Sequence, residues 1–198
     1  MKKSFMLMLT ALLMSCGAMT GCKDNAKNDR PTDDTTATQT PPETYLTAID
    51  RFLTDSLGVQ YAQGELCIPQ RMVVAVDESD STDIRVWGDF WVFNYTVSGD
   101  TLKTTSGGNH PGLMHVSKTA TGFEVTAFDA VGDGSSYDPT AKRIFGEHYE
   151  AFAKVQSDDK QLEQNRAATI AEWVKQRQIP VTMYQDFGWP AVPLPKVE

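Results

Sequence analysis

The chain has 198 residues and carries 18 Lys and Arg side chains against 26 Asp and Glu, so its formal net charge is −8. This balance argues against nucleic acid as a partner, because proteins bind nucleic acids through Lys and Arg contacts to phosphates. Only one of the three cysteines, Cys67, lies beyond residue 22, which excludes an intrachain disulfide framework and a cysteine-based metal centre.

Residues 1–22 have the three parts of a secretory signal. Lys2 and Lys3 form a positive start, residues 5–14 are apolar, and residues 15–21 are mostly small. The apolar run is much shorter than the roughly 20 residues that a helix needs to cross a bilayer. We therefore expect an exported chain with no transmembrane helix after the signal.

The end of this segment resembles a bacterial lipoprotein signal, which is cleaved directly before a cysteine that becomes lipidated. Cys22 follows the favoured Gly21, whereas Cys16 has Leu13 three positions before it. We favour Cys22, because the chain turns polar and charged directly after it, and Cys16 is the alternative. The resemblance implies a membrane partner, since several acyl chains anchor a protein firmly where one holds only marginally.

Lys23, Asp24 and Asn25 follow Cys22 and resemble the lysine-plus-acid tag of Bacteroidetes lipoproteins that reach the cell surface. The resemblance implies an outer-membrane anchor with the domain exposed on the cell surface. The same three residues are explained equally well as the start of a solvated tether. The resemblance to bacterial lipoproteins covers the first 25 residues and carries no information on the folded part.

The composition divides the chain into a signal at 1–21, a flexible tether at 22–42 and a single domain at 43–198. Residues 23–42 are rich in Thr, Asp and Pro and lack aromatic and large aliphatic side chains. Such a segment buries too little apolar surface to offset the entropy lost on ordering. The roughly 155 residues that follow are enough for one domain with its own core.

The domain begins with a predicted helix and continues with strands. In residues 43–57 the apolar side chains repeat on one helical face, with Thr40 and Glu43 as a capping box and Gly58 at the end. Five strands with short links then predict an antiparallel meander, with a wide loop at Gly107–Gly112. The predicted strands are 71–76, 83–97, 101–105, 113–118 and 123–128.

Two helices are predicted after the strands. The first is opened by Asp138 and Pro139 and runs to about Val155, and the second runs from about Asp158 to just before Ile179. The tail after Pro180 contains aromatic residues, so we expect it to pack on the domain through Phe187 and Trp189. The predicted fold class is α+β, with an N-terminal helix and two C-terminal helices packed on one side of the sheet. Cystatin-like and NTF2-like domains are a loose analogy.

The aromatic strand 83–97 supplies the first candidate site. Its odd-numbered positions from 87 to 95 carry Trp87, Asp89, Trp91, Phe93 and Tyr95, which alternation places on one face. Such a row either lines a ligand pocket or forms the core under the helices, the more usual use of large aromatics. A carboxylate among them must be paired, exposed or shifted in pKa, unless a bulge at Gly88 turns Asp89 outward.

The histidines give no motif. His110 and His115 are five residues apart across a predicted loop-to-strand boundary, and no H-E-x-x-H pattern occurs. The acidic segment Gly132–Asp138 lacks the ligand spacing of a calcium loop and is explained more simply as a turn before a helix. We therefore expect neither a metal ion nor a cofactor.

These observations lead to a hypothesis about function. We expect a lipid-anchored, non-catalytic binding domain of the bacterial envelope whose partner is a small ligand, a glycan or an envelope protein. The candidate ligand-binding residues are Trp87, Asp89, Trp91, His110 and Trp189. Two alternatives stay open: an envelope hydrolase that uses Asp89 with His110 or His115 as an acid/base pair, and a structural or assembly lipoprotein.

Overall fold

The structure, a computed structural model, describes residues 43–197. The predicted signal, both candidate lipidation cysteines, Cys16 and Cys22, and the tether lie outside these residues. Within them, no helix combines the length and apolar character needed to cross a membrane.

The first helix, α1, covers Tyr45–Phe52 and continues through a π-helical turn at Leu53–Leu57. Its N-cap is Thr44, whose hydroxyl accepts a hydrogen bond from the backbone N–H of Thr47 while the Thr47 side chain bonds back to Thr44. This reciprocal cap satisfies donors that a helix start leaves unpaired. The predicted capping box of Thr40 and Glu43 is therefore wrong, because Glu43 precedes the helix and its carboxylate pairs with Arg51.

Four antiparallel strands follow in meander order. They are β1 (Leu66–Asp77), β2 (Ile84–Ser98), β3 (Thr101–Thr119) and β4 (Gly122–Ala130). The hairpin turns predicted at residues 98–100 and 119–122 are both present. In the first turn, Gly99 adopts a φ of 64°, a conformation that a residue without Cβ reaches at little cost.

The wide loop predicted at Gly107–Gly112 is wrong, because β3 runs through this segment without interruption. These glycines allow a close approach of neighbouring groups instead of a turn. A Cβ on Gly112 would lie 2.4 Å from the backbone oxygen of Asp129, and a Cβ on Gly108 would lie 2.0 Å from the Tyr61 hydroxyl. Residues 107–112, whose composition is typical of a loop, therefore form the middle of the longest strand.

The chain then forms three helices. They are α2 (Tyr137–Phe145), α3 (Tyr149–Gln156) and α4 (Asp159–Gln176). The single helix predicted up to Val155 is divided between α2 and α3 by Gly146, which has a φ of 50°. The start of α4 agrees with the prediction, since the Asp158 carboxylate caps it by accepting from the Gln161 N–H at 3.0 Å.

Two short strands in the tail complete the sheet. They are β5 (Met183–Gln185), which pairs in parallel with the start of β3, and β6 (Val192–Pro193), which pairs with β5. The tail therefore packs on the domain as predicted, but through Val181 and Tyr184, which are buried. The anchors predicted for it are wrong: Phe187 and Trp189 are 61% and 72% exposed.

The core occupies both faces of β2. Even-numbered side chains such as Val86 and Phe90 pack with Ile49 and Leu53 of the first helical segment. Odd-numbered side chains pack with α2 and α3 around Trp87, and with α4 and the tail around Tyr95. The prediction of helices on one side of the sheet is therefore wrong.

The fold class is α+β, with a mixed and strongly curled six-stranded sheet in place of the predicted five-stranded meander. The parallel pairing of β5 with β3 is the feature that makes the sheet mixed. It brings the tail beside the first three residues of β3, along the edge whose other end is paired with β4.

Candidate functional site

The five odd-numbered residues from Trp87 to Tyr95 share one face of β2, as the alternation predicts, and helices cover most of this face. Trp87, Asp89, Phe93 and Tyr95 are buried, whereas Trp91 is partly exposed. At Trp91 and Phe93 the cover opens into a cavity of about 230 Å³ between β2, α4 and the tail. The row is therefore core at both ends and lines a cavity in the middle.

This cavity, which we call the central pocket, has an aromatic side and a polar side. Trp91 and Phe93 lie nearly parallel there, with ring centroids 5.6 Å apart. The pocket is lined by Gln70, Trp91, Phe93, Asp159, Leu162, Glu163, Arg166, Tyr184 and Asp186. Small-ligand sites commonly combine apolar walls with a few converging polar groups in this way.

A second cavity of about 320 Å³ adjoins the central pocket, and Glu163, Tyr184 and Asp186 line both. Its outer wall is formed by Trp189 and Pro190, in the turn between β5 and β6. The exposed indole of Trp189 is thus placed beside the site, and the two cavities together form a groove along α4.

The carboxylate of Asp89 lies directly behind the central pocket and is fully buried. It accepts hydrogen bonds from Trp91 Nε1 at 2.9 Å, from Gln156 Nε2 at 3.0 Å and from Asn109 Nδ2. Gln156 in turn accepts from the Tyr137 hydroxyl. This polar cluster connects β2, β3, α2 and α3, and it fixes the orientation of the Trp91 indole.

Burial raises the pKa of Asp89, although the hydrogen bonds from Asn109, Trp91 and Gln156 act in the opposite direction. Its three hydrogen-bond donors are neutral, and none of the ion pairs among residues 43–197 includes this carboxylate. Desolvation of a carboxylate that has no countercharge favours the protonated form.

Arg166 of α4 forms the floor of the central pocket. Its guanidinium lies 3.6 Å from the centroid of the Phe93 ring. It donates to Asp186 at 2.5 Å, to Thr104 at 2.9 Å and to the hydroxyl of Tyr95 at 3.1 Å. The positive charge of Arg166 is therefore matched inside the protein by Asp186, and the two side chains line the pocket as an ion pair.

Asp159 and Glu163 are the remaining charged groups of the groove. Both are exposed side chains of α4, and neither forms an ion pair or a hydrogen bond through its carboxylate with another residue in the described part of the chain. The groove therefore offers two free carboxylates beside the rings of Trp91, Tyr184 and Trp189.

Two of the predicted ligand-binding residues lie elsewhere. Trp87 is enclosed by α2 and α3 and donates its indole N–H to the carbonyl of Ile144 at 2.9 Å. His110 pairs with Phe90, so it belongs to the opposite face of the sheet. Its Nε2 is 2.9 Å from the Tyr61 hydroxyl, and burial lowers the pKa of the imidazole. Asp89, Trp91 and Trp189 are the members that the structure gathers around the groove.

The acid/base pair of the hydrolase hypothesis is not assembled. Among the hydrogen bonds of residues 43–197, none joins Asp89 to His110 or His115. The imidazole Nδ1 of His115 is 2.7 Å from Asp83 instead, and its Nε2 is 3.7 Å from Asp129. No group of three or more His, Cys, Asp or Glu within the described residues has a geometry that suits a metal ion.

Several residues of the groove, and of the polar cluster around Asp89, are difficult to predict from the sequence. Arg166 had a signal, since it interrupts the apolar stripe of a predicted helix and a cation there needs a partner. Asp186 and Tyr184 lie in a short segment whose pairing with β3 depends on tertiary structure. Asn109 and Gln156 carry no sequence signal, because 20 and 67 residues separate them from Asp89.

Comparison with protein-family models, with curated proteins and with solved structures found no significant match.

Proposed function

We propose that the protein is a lipid-anchored component of the bacterial cell envelope whose domain binds a small ligand in the groove and catalyses no reaction. The observation that carries the proposal is the opening of the central pocket in a face that is otherwise covered. A partly exposed aromatic ring in a cleft that also holds converging polar side chains is typical of a small-ligand site.

The construction of the site supports a binding function. The indole of Trp91 donates a hydrogen bond to the buried carboxylate of Asp89, and Arg166 is held by hydrogen bonds to Asp186, Thr104 and Tyr95. Both groups are thus fixed before a ligand arrives, which lowers the entropy cost of binding. Trp189 at the rim adds an exposed indole, an amphipathic surface that is common in binding sites.

The anchor is supported by the pattern of residues 1–25 alone. Lipidation at Cys22 would hold the domain on the outer membrane at the end of the polar tether, with the cell surface as its destination if residues 23–25 act as a tag. Replacement of Cys22 by Ala followed by intact-mass analysis tests this. Loss of the acyl mass in Cys22→Ala, with retention in Cys16→Ala, supports the proposal, and the reverse pattern transfers the anchor to Cys16.

The binding function is tested by replacing the ring that projects into the central pocket. Trp91→Ala is expected to abolish binding of small aromatic probes, while Trp173→Ala serves as the matched control because Trp173 lies outside the groove and stacks under Arg177. Equal binding by the two variants would contradict the proposal.

A further inference from the structure

We infer that the groove selects a positively charged ligand, one that carries an ammonium or guanidinium group next to an apolar or aromatic part. The inference depends on the proposed binding function and adds the chemical class of the ligand. It follows from the charges that line the two cavities and from which of them already have partners.

The charge balance of the lining is negative. The central pocket contains three carboxylates, Asp159, Glu163 and Asp186, and one cation, Arg166. The outer cavity contains Glu163 and Asp186 and no Lys, Arg or His among its lining residues. Arg166 is engaged with Asp186, so the charges that face a ligand without a partner in residues 43–197 are those of Asp159 and Glu163.

The rings of the groove favour the same class. Trp91, Tyr184 and Trp189 line the same two cavities as Glu163. A cation is attracted to the face of an aromatic ring, most strongly to that of Trp. The protein already uses this contact in the groove, where the Arg166 guanidinium lies 3.6 Å from the centroid of the Phe93 ring and 6.0 Å from that of Tyr184.

An anionic ligand would meet both free carboxylates and would need a cation to offset them. Arg166 is poorly placed for this role, because Asp186 already offsets its charge and each of its three nitrogens already donates one hydrogen bond within the protein. A neutral ligand would use the rings but gain nothing from the charges. A cationic group beside an apolar part is therefore the chemistry that uses both features.

The decisive experiment compares three probes that share one ring and differ in charge: phenethylamine, phenethyl alcohol and phenylacetate. Isothermal titration of the purified protein is expected to give the tightest binding for the amine, weaker binding for the alcohol and no measurable binding for the acid. Added salt should weaken the binding of the amine and leave that of the alcohol unchanged.

Neutral variants test the role of the carboxylates. Glu163→Gln and Asp159→Asn are each expected to weaken amine binding about threefold, the effect of losing one partly exposed ion pair, without changing the affinity for the alcohol. Glu172→Gln is the matched control, because Glu172 is an exposed acid of the same helix that does not line the groove.

The outcomes separate this inference from the proposed function. Equal binding of amine and alcohol, or tighter binding of methyl glucoside than of the amine, overturns the inference and leaves the binding site in place. Absence of binding for every probe overturns both. A capped phenylalanyl-lysine dipeptide distinguishes the source: tighter binding than phenethylamine supports a cationic side chain of a polypeptide, and weaker binding supports a free amine.

Discussion

The indole N–H of Trp91 donates a hydrogen bond of 2.9 Å to the carboxylate of Asp89, two residues earlier on the same face of β2. This contact joins a buried polar cluster to the wall of an open cavity. It explains why a fully buried carboxylate without a countercharge is found in the most aromatic strand of the chain. The carboxylate fixes the ring that a ligand would contact.

Replacement of Asp89 by Asn should therefore disturb Trp91. The amide turns one accepting oxygen into a donor, so the side chain can no longer accept from Trp91 on one side and from Asn109 and Gln156 on the other. We expect the Trp91 indole N–H resonance to move and the affinity for phenethylamine to fall about threefold, the effect of losing one hydrogen bond. Asp55→Asn, an exposed change outside the groove, should leave both unchanged.

The raised pKa of Asp89 predicts a pH dependence of stability. A carboxyl group whose pKa is raised by folding stabilises the native state fully below its unfolded pKa of about 3.9, and this stability is lost as pH rises through the folded pKa. The difference in the free energy of unfolding between wild type and Asp89→Asn should therefore shift in favour of the variant as pH increases. Urea titrations from pH 4 to pH 8 measure this difference, and a shift in the opposite direction would contradict the burial account.

Among the charged residues that line the groove, Arg166 is expected to contribute most to the stability of the fold. Arg166→Met leaves Asp186, Thr104 and Tyr95 without their shared donor, and we expect a loss of about 3 kcal/mol in the free energy of unfolding. Arg177→Met is the control: this guanidinium stacks on Trp173 at the protein surface, so its loss should cost no more than about 1 kcal/mol. Equal losses in chemical denaturation would show that the Arg166 network contributes little.

The glycine-rich middle of β3 gives a prediction about packing. Gly112→Ala places a Cβ 2.4 Å from the Asp129 backbone oxygen, so β3 and β4 must separate locally. We expect a loss of about 3 kcal/mol. A Cβ at Gly134 would contact no other atom, so Gly134→Ala is strained only by the φ of 56°, which should cost about 1 kcal/mol. If Gly112→Ala were the milder of the two in thermal unfolding, the close approach of the strands would be refuted.

Much of the fold follows from local patterns. The bounds predicted for the aromatic strand, 83–97, differ by one residue at each end from those of β2, because β-branched and aromatic residues run unbroken between two turns. The cap at Asp158 is equally local. The loop predicted at Gly107–Gly112 is wrong because a glycine-rich composition suits both a turn and a strand that other groups approach closely. Only the spatial neighbours of each glycine distinguish these two cases.

The candidate site was less accessible to prediction. Period-two alternation placed Asp89 and Trp91 on one face, but it could not show that α4 leaves a cavity beside Trp91. The sequence predicts that Trp189 packs the tail on the domain, whereas the buried residue is Tyr184. Partners such as Gln156 and Arg166 reach the site through helix packing, which depends on contacts between residues far apart in the sequence.

The central claim is that the groove between β2, α4 and the tail is the binding site, and the four tryptophans of the chain allow a direct test. The measurement follows the four indole N–H resonances of the purified protein during a titration with phenethylamine. The account predicts saturable shifts for Trp91 and Trp189, which line the groove, and none for Trp87 and Trp173, which do not. Shifts confined to Trp87 or Trp173, or no shift at any of the four, would contradict it.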